Sequence, residues 1–156
     1  MNGTERGSPV RYLVLVGRVL YSAIFLMTFG HFSQAYIGYA VQAGVPLAGL
    51  LVPLSGVIGM AGGLSIALGY HAKVGAWLLV LFLVPVTPMM HNFWAVADPM
   101  MRGMQMAMFM KNLSMLGAAL LIAYFGAGPL SLDARRSRQA ANRSLPFGSQ
   151  SPSDSR

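Results

Sequence analysis

The densest run of side chains able to do chemistry is His91-Asn92-Phe93-Trp94, followed by Asp98, Arg102, Gln105, Lys111 and Asn112. An imidazole, carboxamides, an indole and an ammonium at this spacing can hold a lipid-soluble molecule by hydrogen bonds and ring contacts. Gln105 and Asn112 are one heptad apart and share a helix face, while Lys111 points about a third of a turn away. Polar groups in or beside an apolar span are costly to bury, so they call for a ligand or a partner. A plainer assignment competes: His91, Trp94, Asp98 and Arg102 as an interfacial belt, with Lys111 paired or lining water.

Three further sets offer other chemistry. Arg18 stands on the same side of the first apolar run as Arg11. It either snorkels back to the headgroups or faces the neighbouring helices and binds an acidic or quinonoid group. His91 with Met101, Met104 and Met108 is a thioether-rich set suited to Cu(I), although Met is also an ordinary apolar residue in a membrane. His31 and His91 fall on one membrane side and would allow a bis-His haem, against which both stand at helix ends.

The chain has no cysteine, which removes thiol–disulfide exchange, thiolate-held iron–sulfur clusters and Cys-based zinc sites. It has four acidic residues and neither a nucleophile–base–carboxylate set nor a phosphate loop, so hydrolysis and phosphoryl transfer are poorly supported. The net charge of +7 is carried at the chain ends and span boundaries, which favours anionic headgroups over nucleic acid.

The elements that must position these groups are membrane spans. The 156 residues are 55% apolar and 10% charged, and the apolar residues are contiguous rather than alternating. A span needs about 20 apolar residues, and the runs 10–29, 47–69, 74–90 and 104–125 each suffice. With the fourth run starting at Met104, Lys111 lies about 10 Å along it. The expected fold is all-α, a four-helix transmembrane bundle with a short interfacial helix over 32–44 between the first two spans.

Residues 1–9 read as an N-terminal segment, 10–128 as the four-span domain, and 129–156 as a polar, Arg/Ser-rich, disordered tail. In the second span Ser55, Gly59, Gly63 and Ala67 form a small-residue stripe for close helix packing. Pro85 and Pro88 remove two backbone donors from the third and predict a kink, structural or shaping a cavity. Lys and Arg gather at both ends and at Lys73, which predicts an inner-membrane protein with both termini cytoplasmic.

In order along the chain, His91-Asn92-Phe93-Trp94, Gln105, Phe109, Lys111-Asn112-Leu113, Gly117 and Gly128-Pro129-Leu130-Ser131-Leu132-Asp133 resemble the motifs of the DoxX family. Arg18 with Phe25, and Gly62-Gly63 followed by Gly69, are weaker matches, and an acid that relatives carry near Gly59 is missing. The resemblance implies a small membrane subunit of a redox system beside protein partners, with a quinone as its cofactor. His91 and Lys111 would then donate to the quinone carbonyls, Phe93 or Trp94 would flank the ring, and Asn92, Gln105, Asn112 and Arg18 complete the candidate set. The rival expectations are a non-enzymatic scaffold or stress-linked interaction protein, and a small metabolite or ion carrier, with lipids and a second copy of the chain among the partners.

Overall fold

A computed structural model describes residues 9–143. Helix α1 is Val10–Leu26, continued by a 3-10 run over Met27–Phe32; α2 is Gln34–Gln42, α3 Ala48–Leu68, α4 Ala72–Met90, α5 Pro99–Phe125 and α6 Leu132–Arg143. Four of these segments are long and apolar enough to cross a membrane: Val10–Phe32, Ala48–Leu68, Ala72–Ala95 and Pro99–Phe125. The protein is thus a four-helix transmembrane bundle, and α2 is the short helix expected between the first two spans. Ser33 caps α2 by accepting from the Tyr36 amide at 3.3 Å.

Helix α3 is the centre, packing on α1 and on α4, while α5 packs on α4. Glycines set the spacing. A β-carbon at Gly62 would lie 2.9 Å from the Gly75 carbonyl of α4, and one at Gly63 would lie 3.0 Å from Phe25 Cβ of α1. The adjacent pair therefore serves two neighbours on opposite sides of α3. Gly59 continues the approach to α1, where an added β-carbon would sit 2.9 Å from Thr28 Oγ1. Phe25, Ile66, Leu79, Phe82, Leu83 and Ala119 close the core, and Ala40, Ala48, Val52 and Met90 tie α2 onto the bundle.

The pole that carries both ends of the described chain is locked by polar contacts. Arg18, buried, donates to the carbonyls of Ala127 at 2.6 Å and Leu130 at 3.0 Å. Asp133 accepts from the amides of His71 at 2.8 Å and Ala72 at 3.0 Å, capping the first turn of α4. Its own amide donates to the Gly69 carbonyl at 2.9 Å. Gly69 has φ +65 and no space for a side chain, since a β-carbon would lie 2.5 Å from Ser131 Cβ.

Two expectations about boundaries are corrected. Residues 132–143 are not a disordered tail but helix α6, started by Ser131, whose hydroxyl accepts from the Ala134 amide at 3.1 Å, and by Asp133 in the first turn. Residues 144–156, assigned to the same tail, and 1–8 lie outside the described residues. The fourth span begins at Pro99, not Met104, because Asp98 caps it by accepting from the Met101 amide at 2.8 Å and proline suits the first helical position. Lys111 therefore lies about 18 Å along α5. Pro85 and Pro88 are accommodated inside an unbroken α4.

Two outcomes follow. Gly62→Val should cost about 1–3 kcal/mol by overpacking and lower the thermal midpoint of the purified protein. Gly17→Val, which meets open space, should leave it unchanged, and equal midpoints for the two would contradict the packing described. Arg18→Met leaves two buried carbonyls unsatisfied and should cost about 3 kcal/mol; limited proteolysis should then cut first between 127 and 133, and an unaltered digestion pattern would refute the lock.

Candidate intramembrane cavity

Where α1 passes into its 3-10 run, the bundle opens into a cavity of about 430 Å³, within the range of small-molecule sites. Its walls come from α1 and its 3-10 run, α2, α3, α4 and α5, and most of the lining is apolar. Apolar side chains at its edge, among them Met27, Leu54 and Leu81, are themselves exposed on the bundle's flank. A lipid-soluble molecule can reach it from the membrane. The polar groups in it are Thr28, His31, Tyr36, Ser55, His91, Lys111 and Asn112.

Hydrogen bonds fix the states of both histidines. The Ser55 hydroxyl donates to the Val52 carbonyl at 2.7 Å, so it can only accept from His31 Nδ1 at 3.0 Å. The Gln105 Oε1 accepts from His91 Nδ1 at 2.9 Å, while its Nε2 donates to the Tyr39 hydroxyl at 3.4 Å. Both rings therefore carry the proton on Nδ1, and neither Nε2 has a hydrogen-bond partner among the described residues. His31 is pressed against α3 where a β-carbon at Gly56 would lie 3.0 Å from His31 Cβ, and it stacks on Tyr36 with centroids 4.2 Å apart. Burial, and then the neighbouring Tyr39, push the Tyr36 phenol above its ordinary value, which keeps it neutral.

Asn112 is the most informative residue. It is 5% exposed, and its carboxamide makes no hydrogen bond to any described residue, although buried amides are nearly always partnered. Asn112 is one of the residues that line the cavity. Lys111 stands beside it at the edge, its ammonium 3.4 Å from Met108 Sδ, a weak acceptor.

The residues singled out from sequence are thus divided. His91, Lys111 and Asn112 line the cavity; Gln105 does not, but it holds His91 in place. Asn92 starts the short turn Phe93–Ala95 after α4. Phe93 and Trp94 turn away and pack edge-on over Phe109 of α5 at 5.5 and 6.0 Å, so neither flanks a ring in the cavity. Arg18 is at the opposite pole. Among the described residues no three His, Asp or Glu side chains converge as metal ligands, and Met101, Met104 and Met108 are exposed along α5. His31, Thr28 and Tyr36 were not in the candidate set; the only sequence signal was that His31 shares a membrane side with His91. Ser55, assigned to helix packing, also orients an imidazole.

Among curated proteins the chain is similar to two from Escherichia coli K12. With Inner membrane protein YqjF it is 32% identical over 77% of this chain and 88% of that protein, and with Inner membrane protein YphA 28% identical over 83% and 94%. No solved structure matches. The family model that matches is SURF4, over residues 2–139, and this overturns the expected DoxX membership. The DoxX-like segments are short, and the fold accounts for several without it: the Gly128–Asp133 stretch is the turn that caps α4, and Phe109 is the platform under Phe93 and Trp94. With most of its length matched by that model and a 32% identical relative, the chain belongs to the SURF4 family.

Proposed function

We propose that this is an inner-membrane protein that binds a lipid-soluble amphiphile in the cavity between its spans. The observation that carries this is the Asn112 carboxamide, buried, without a hydrogen-bond partner among the described residues and in the lining of an apolar cavity. An unmet amide inside a bilayer is unfavourable by about 1–3 kcal/mol, so a ligand that pairs with it gains that much affinity. The inner-membrane location is supported by the names of the two relatives. Cytoplasmic termini are supported by the pole that gathers Lys73, Arg135, Arg136, Arg138 and Arg143, against Arg102 alone in the 91–98 to α5 region.

The quinone-linked redox role is a narrower version of the same function: a quinone is such an amphiphile, and its carbonyls would accept from Lys111 and Asn112. A non-enzymatic receptor or carrier would use the same cavity without electron transfer.

Photolabelling in lipid nanodiscs with a diazirine-bearing dodecanol should mark peptides covering 81–91 and 111–115. Asn112→Phe fills the cavity and should cut that labelling about fivefold with the helical circular dichroism unchanged. Labelling that is spread over all lipid-facing segments and indifferent to Asn112→Phe would refute the proposal.

A further inference from the structure

The chain contains four acids, of which Asp98 and Asp133 are among the described residues. Both are engaged at helix ends, Asp98 on the Met101 amide and Asp133 on the His71 and Ala72 amides. Lys111, by contrast, is near the middle of the 27-residue α5, about 18 Å from one end and about 21 Å from the other. The hydrocarbon layer is about 30 Å thick, so neither surface is within reach of the side chain by snorkelling. Among the described residues its ammonium has one hydrogen-bond partner, Met108 Sδ. The two described carboxylates of a second copy, both at span ends, would not come to this depth either. An ammonium in lipid without a counter-charge is among the costliest arrangements a span can hold.

From this we infer that the amphiphile is an acid, whose carboxylate is held by Lys111 and Asn112 while its hydrocarbon chain lies along the apolar wall of the cavity. The inference rests on the binding function proposed above and names the class of ligand. Lys111 supplies the charge and Asn112 Nδ2 a second donor; the two point about a third of a turn apart on α5, and both line the cavity. Ile58, Phe82 and Val86 offer the surface for the chain. The depth selects the source: a bilayer phospholipid keeps its phosphate at the interface and cannot place it beside Lys111, whereas a free medium-chain fatty acid can enter the cavity whole. The resulting pair is a charge-assisted hydrogen bond in a low-dielectric site, where such bonds are strongest.

The test compares diazirine-bearing dodecanoic acid with its methyl ester, using the full-length protein in phosphatidylcholine nanodiscs. The acid should label the 111–115 peptide about tenfold more efficiently than the ester. Lys111→Met should bring acid labelling down to the level of the ester and so abolish that preference, and Lys111→Arg should retain it. Equal labelling by acid and ester would overturn the inference but leave the binding function standing. Labelling by neither that depends on the cavity would overturn both.

Discussion

In hydrocarbon a polar group has only the protein, or a ligand, to bond with, and this single restriction organises the molecule. At one pole the chain meets it with most of its donors, although Arg18 Nε is buried there without a hydrogen-bond partner among the described residues. Arg18 gives two of its donors to the carbonyls of Ala127 and Leu130, and Asp133 closes the first turn of α4. The same segment thereby holds the start of α4, the end of α5 and the body of α1 together. At the other side of the bundle the restriction is left unmet at Asn112 and at the two histidine Nε2 atoms, and there the helices part to form a cavity.

The glycines of α3 explain why packing and opening coexist in so small a bundle. Gly62 and Gly63 bring α4 and α1 within backbone distance in the half near the locked pole. Further along, larger groups intervene: His31 and Tyr36 stack, and Phe82 sits 6.1 Å from the His31 ring. Helix α5 adds to the asymmetry, since it packs chiefly on α4 and buries only Asn112 and Ala119. A helix packed chiefly on one neighbour leaves a side of the cavity open, with Lys111 at the opening.

The sequence makes the spans legible because hydropathy over 20 residues is a direct statement about lipid, and the short helix before α3 follows from aromatic spacing. It makes the ends of elements less so. Asp98-Pro99 is a helix start by chemistry, but the Arg102 that follows lowers the local hydropathy and hid the first turn of α5. Helix α6 was obscured for a related reason, because a polar Arg-rich run resembles a disordered one unless Ser131 and Asp133 are recognised as its cap. Lys111 and Asn112 stood out as polar residues in an apolar run. His31 stood out only as a haem partner for His91, because its contacts with Ser55 and Gly56 come from another helix, which no local pattern reveals. Phe93 and Trp94 misled in the opposite direction: adjacency to His91 suggested a shared site, and the turn after α4 sends them to Phe109 instead.

The central claim is that the Asn112 side chain opens onto a space continuous with the membrane interior. The chain has no cysteine, so single thiols report cleanly. With Asn112→Cys and, as a buried control, Ala119→Cys in nanodiscs, a lipid-soluble maleimide should modify position 112 and spare position 119, which is fully buried. If the two thiols react equally slowly, the cavity is closed to the bilayer and the account fails.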